Sequence, residues 1–313
     1  MKLSLKHIVL VLILCFFVTI FFLHSFSYLY QRTKEAFLDT NYEKTIYLIW
    51  RNKTENSTTN YGFGDKLRGA IFLHQYCKKN KINLKIDATD DICSDFLKNV
   101  VSDDYSAIKE KPTISLGDET KEDVYEKIEK ELHNNDTIYV FSNGWPDDLD
   151  NDDISFGKFI CEPKEFLNLE INEKIRDLPL HFGIQHFRFN DRIFENDVDS
   201  NDKLFSKYFD ILKSSYKPTD VLFSNSNNFK KYAKEQLGIK TIDCNSAMCK
   251  IQHIGKSTDN ESVKNSFIEF FIISRSSYVK SHTCYYWPSN FVHWPYKIYN
   301  IPFENVYIDE TKL

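Results

Sequence analysis

The chain alternates twice between short apolar runs of strand length and longer segments with helical spacing. This alternation restricts its fold more than any other feature. TIYLIW (45–50) is short, β-branched and aromatic, the pattern of a buried strand. A polar loop follows, then Gly62-Phe-Gly64-Asp-Lys-Leu-Arg68. From Asp65 to Lys79, Leu67, Ala70, Ile71, Leu73 and Tyr76 recur at helical spacing, and NLKID (83–87) is again a strand. Strand, glycine loop, helix and strand make a βαβ unit.

The pattern continues with a helix expected near 120–133 and the strand and turn TIYVFSNG (137–144). The acidic stretch from Asp147 to Asp153 reads as a solvated loop, and its Asp148-Leu-Asp150 is too cheap a match in so acidic a run to mark a metal site. The second half repeats the alternation: strand 179–189, helix 201–215, strand 220–226, helix 227–238 closed by Gly238, and strand 239–243. A helix over 262–274, a strand over 277–282 and a Trp-rich segment complete it. Two α/β halves, 45–175 and 176–313, imply two doubly wound sheets with a cleft between them.

Residues from Ile8 to Leu23 are apolar apart from Thr19. A helix rising ~1.5 Å per residue needs about 20 such residues to cross a ~30 Å hydrocarbon core. Residues 8–28 are therefore expected to form a membrane-spanning signal-anchor, with 1–7 as a cytoplasmic tail and 29–44 as a stem. A cleaved signal peptide ending near Ser25 and Ser27 is the alternative, and it delivers the same domain to the same secretory compartment. Glycosylation sequons at Asn52, Asn56, Asn135 and Asn260 agree with that side of the membrane. Apart from Cys15, six cysteines remain, with Cys244 and Cys249 spaced to close a small loop; no Cys-x-x-Cys supports zinc. A net charge of −5 without a basic cluster argues against nucleic acid.

Four segments carry side chains suited to chemistry. In the glycine loop, Gly62 and Gly64 let the backbone approach a ligand at a helix N-terminus, and an ordinary tight turn has the same look. Asp65 there is either a base facing the cleft or a helix cap. In His186-Phe-Arg188-Phe-Asn-Asp191, alternation places His186 and Arg188 on one face and Phe187 and Phe189 on the other. An Arg at a strand's carboxyl end suits a diphosphate, or else an ion pair with Asp191. Asn225, in Phe223-Ser-Asn-Ser-Asn227, serves a ligand or caps the next helix. The fourth segment runs from Glu269 through Ser281 and Thr283 to Trp287, with hydroxyls at a strand end.

In order and spacing these segments resemble the fucosyltransferase-like superfamily of GT-B glycosyltransferases. That group includes the nodulation-type α1,6-, the α1,2- and the protein O-fucosyltransferases. GFGDKLRGAIFLHQYCKKNKINLKID resembles the family's glycine loop, helix and strand, and HFRFND its His-x-Arg-Arg-x-Asp signature. LFSNSN stands where Ala-Thr-Asp is usual, and FFIISRSSYVKSHTCYYW resembles the closing segment before an aromatic helix. The resemblance implies a GT-B fold of two Rossmann-like halves, 45–175 on the acceptor side and 176–313 on the nucleotide-sugar donor side, and metal-independent, inverting transfer of fucose from GDP-fucose to a hydroxyl of a glycan or glycoprotein. By it, Arg188 and His186 contact the sugar donor, Glu269 lies near the guanosine, and Ser281 and Thr283 bind phosphate. It also implies a Golgi or endoplasmic-reticulum membrane with the catalytic part luminal. Phe189, Asn225 and Ser277 depart from the family's usual residues. They leave open a different nucleotide sugar, or a degenerate glycan-binding module.

Overall fold

The computed structural model of the chain describes residues 14–21, 42–50, 62–101, 111, 113–117, 119–190, 197–242 and 259–309. The first sheet is built from β1 (Thr45–Ile49), β2 (Asn83–Asp87), β3 (Ile114–Leu116) and β4 (Thr137–Ser142). It is wholly parallel, in the order β2-β1-β4-β3. Parallel neighbours require crossovers. Here α1 (Phe63–Asn80), the short α2 (Cys93–Phe96) and α3 (Lys121–Asn134) lie between successive strands. Two further helices, α4 (Asn151–Ile160) and α5 (Glu165–Arg176), lead into the second half.

The second sheet contains β5 (Gly183–Arg188), β6 (Val221–Ser224), β7 (Lys240–Thr241), β8 (Tyr278–Thr283) and β9 (Phe303–Tyr307). It is also parallel, in the order β7-β6-β5-β8-β9. The chain winds outward from β5 to β7, then returns to the other side of β5 through β8. This is the doubly wound order, with its switch point between β5 and β8. The helices of this half are α6 (Lys203–Ser215), α7 (Asn227–Leu237), α8 (Asn260–Ile273) and α9 (Asn290–Tyr299). Their ends follow local chemistry: Asp202 caps α6, Ser226 caps α7, and Gly238 closes α7 at φ 66°.

One core joins both halves. Leu48, Val140, Ile184, Phe267, Val279 and Trp294 belong to a single cluster of buried side chains. The helix α9 makes this possible, because it leaves the second sheet to pack on α1 and α4 before the chain returns as β9. At the α4 contact a Cβ on Gly157 would sit 3.0 Å from Ile298. A second cluster, Phe187, Phe189, Phe205, Tyr208 and Phe229 among them, fills the opposite face of the second sheet.

Helix α1 lies so close to β4 that a Cβ on Gly69 would fall 1.7 Å from the Ser142 carbonyl oxygen. Backbone cannot retreat as a side chain can. Gly69→Ala is therefore expected to cost about 3 kcal/mol, the upper end for overpacking, measured by denaturant unfolding.

The acidic stretch is more ordered than a solvated loop. Asp150 caps α4 in a capping box with Asp153, whose side chain is buried and bonded by Gln75 and Lys78. The Asp153 N–H, with the Lys78 ammonium, holds the Asp150 carboxyl down at about 2. No cluster of metal-binding side chains occurs among the described residues. Of the expected anchor, residues 14–21 are helical and the rest lie outside the described residues. Among the described residues no helix is long and apolar enough to cross a membrane. Asn135 and Asn260 are exposed, while Asn52, Asn56, Cys244 and Cys249 lie outside the described residues.

Candidate active site at the strand switch points

Paired strands bring the two central segments together. Arg188 and Thr283 are register partners at the carboxyl ends of β5 and β8, with His186 and Ser281 paired two residues deeper on the same face. They stand at the switch point, where an open α/β sheet binds its ligands. The alternation expected from sequence holds: Phe187 and Phe189 enter the core beneath, and His186 lies across from Phe291 of α9 at 6.4 Å.

Arg188 is half-buried and held at its backbone, whose carbonyl accepts the Tyr208 hydroxyl at 2.9 Å. Its guanidinium lies 6.0 Å from the ring of Tyr285, which stacks in turn on the exposed Trp287 at 5.5 Å. His186 and Ser281 are buried and engage one another, Nδ1 to Oγ, at 3.0 Å. Burial first, then the charge of Arg188, lowers the His186 imidazole to about 3, so it is neutral at pH 7. Thr283 is also buried, and its hydroxyl accepts the Tyr285 N–H at 3.1 Å, fixing the turn beneath Arg188.

The glycine loop reaches this centre through α9. A Cβ on Gly64 would meet Asn290 at 2.6 Å, so its missing side chain admits a helix and not, at that point, a ligand. Gly62 is the N-cap residue of α1 and supplies no side-chain cap. Asp65 is not a cap either. It lies in the first turn, where its Oδ1 accepts the Asn290 amide at 2.8 Å and approaches Arg68 at 3.5 Å. With its side chain 27% exposed, the carboxylate still reaches solvent.

Two expected contacts of the sugar donor have other partners. Asn225 accepts the Phe189 N–H at 2.9 Å and donates to the Phe189 carbonyl at 3.1 Å, clamping the backbone just beyond Arg188. Glu269 is buried on α8 and ion-paired to Lys230 of α7 at 2.6 Å. Lys230 also donates to the Ile242 carbonyl at 3.0 Å. Gly64 meets α9 and Arg188 pairs with Thr283 at the switch point, whereas Glu269 is buried against Lys230.

Sequence reasoning missed Asn290, Lys230, and Arg68 with Trp145. Arg68 lies inside the glycine-loop motif, but the motif alone gives no sign of its partners. It is buried, donates from Nε to the Asn143 carbonyl at 2.7 Å, and lies 4.2 Å from the Trp145 ring.

No protein-family model matches the chain, and no curated protein matches it in sequence. Solved structures do. The chain superposes on a NodZ alpha-1,6-fucosyltransferase soaked with GDP-fucose at a TM-score of 0.53 and 12% identity, covering 86% of this chain and 96% of that one. The fucosyltransferase NodZ from Bradyrhizobium gives 0.53 at 12% identity, covering 87% and 96%. Arabidopsis thaliana FUT1 in complex with GDP gives 0.54 at 9% identity, covering 90% and 75%. The chain therefore shares the overall fold of these structures.

Proposed function

We propose that the chain is a glycosyltransferase that moves fucose from GDP-fucose to a hydroxyl of a glycan or glycoprotein. The observation that carries this reading is Arg188 at the β5–β8 switch point, opposite Thr283 and beside the Tyr285–Trp287 stack. It is supported by a fold shared with proteins solved with GDP or GDP-fucose.

As the bond from fucose C1 to the β-phosphate oxygen breaks, negative charge builds on the leaving diphosphate. The planar guanidinium of Arg188 meets that charge with two parallel N–H donors, and the N-terminus of α1 adds a favourable field. These groups do the work that a metal does in other transferases, so transfer is proposed to proceed in excess chelator. The acceptor oxygen attacks from the opposite face and inverts the anomeric carbon, while Asp65 takes its proton. The N-terminal segment is proposed to hold this domain on the secretory side of a Golgi or endoplasmic-reticulum membrane.

Release of nucleoside diphosphate by the purified chain, measured across several nucleotide sugars, tests the reading. Release from GDP-fucose and from no other is expected; activity with a different donor alone would overturn it. Asp65→Asn keeps the oxygen that accepts from Asn290 but removes the base. It is expected to lower kcat about 10²-fold, the lower range for general-base catalysis. Full kcat in this variant would remove Asp65 from the mechanism.

A further inference from the structure

Trp145 is a large aromatic ring, 55% exposed, at the carboxyl end of a central strand. The first sheet has its own switch point, between β1 and β4. The N-terminal turn of α1 follows β1 across a loop, and Asn143, Gly144 and Trp145 follow β4 directly. Trp145 therefore occupies in the first sheet the kind of position that Arg188 occupies in the second.

The ring is held from below. The buried Arg68 guanidinium lies 4.2 Å from its centroid and is itself anchored to Asn143. The loop is pinned on both sides. A Cβ on Gly144 would collide with Phe72 at 2.7 Å, and the Asp147 N–H donates to Gln75 at 2.8 Å. A cation under one face fixes the ring and leaves the other to solvent. The same guanidinium approaches Asp65 at 3.5 Å, linking the platform to the carboxylate proposed to act as base.

We infer that Trp145 is the floor of an acceptor subsite for one pyranose ring of a glycan. A pyranose with equatorial hydroxyls presents a flat face of axial C–H bonds that covers an aromatic ring, while its hydroxyls stay at the edge. Beneath the ring, Arg68 leads to Asp65 at 3.5 Å, and Asp65 to the Asn290 amide at 2.8 Å, so a carboxylate and an amide suited to sugar hydroxyls are linked to the platform through the cation under it. As an acceptor site this rests on the transferase reading; as a sugar-binding surface it does not.

Calorimetric titration of the full chain, without sugar donor, with N,N′-diacetylchitobiose, lactose and cellobiose up to high millimolar concentration tests the proposal. At least one disaccharide is expected to bind. Trp145→Ala should weaken that binding about tenfold or more, the scale of losing one aromatic stacking face, and Trp145→Phe should retain most of it. In transfer assays Trp145→Ala should raise the acceptor KM more than it changes kcat, and Trp145→Phe should restore most of the KM. Binding of none of the three sugars, or equal binding by wild type and Trp145→Ala, would overturn the subsite. Trp145-dependent sugar binding in a chain that releases no GDP from GDP-fucose would remove the transferase reading and leave the platform standing.

Discussion

Replacing Arg188 by lysine is expected to lower turnover of GDP-fucose by about 10²–10³-fold, the typical loss on removing one preorganised donor to a developing oxyanion. Alanine should do no better. Lysine keeps the charge but loses the fork, so it meets the diphosphate as a single point and not as two parallel bonds. The β5 backbone here is fixed by bonds that a new side chain leaves in place, from Tyr208 to the Arg188 carbonyl and from Asn225 to the next residue, so a loss in chemistry can be told from a loss in folding. Single-turnover kinetics separates the two effects, and near-normal turnover in Arg188→Lys with unchanged GDP affinity would end the proposed role.

The second large effect concerns Glu269 and its lysine. Both side chains are buried, and their ion pair is closed by a backbone carbonyl. Removing Lys230 deprives an enclosed carboxylate of that counter-charge. Lys230→Met should destabilise the chain by about 3–5 kcal/mol, read from chemical unfolding. Combining Lys230→Met with Glu269→Leu is expected to recover most of that loss, since apolar groups of similar volume often replace such pairs without penalty. The recovered variant then separates structure from recognition. Unaltered GDP binding would make Glu269 a purely structural residue; a large loss would return it to the guanosine side of the site.

The alternation of strands and helices was legible because the central strands β1, β5 and β6 are buried on both faces and the crossover helices carry an apolar side. The helices α4 and α5 were not legible, and α9 was expected only as an aromatic helix after the closing segment, without its bounds or its crossing. An acidic run hides the capping box that starts α4, and α9 packs Trp294 into the core and carries Pro295 within it. The strand-end positions of Arg188 and Thr283 could be read from sequence, because each lies at the end of a short run of strand length. Asn225 and Glu269 could not, since their roles depend on Phe189 and Lys230, which the fold brings to them. Asp65 lay between a cap and a base in sequence. The structure removes the cap, because the N-cap position of α1 belongs to Gly62.

The crossing of α9 has a consequence for how the chain comes off the ribosome. The first sheet is complete in sequence by Ser142, yet Trp294 and Ile298 share its core. Until those residues emerge, the apolar surface of α1 and α4 that receives them stays uncovered. The half synthesised first must wait for the last of the described helices, and the chaperones that meet it have that interval to fill.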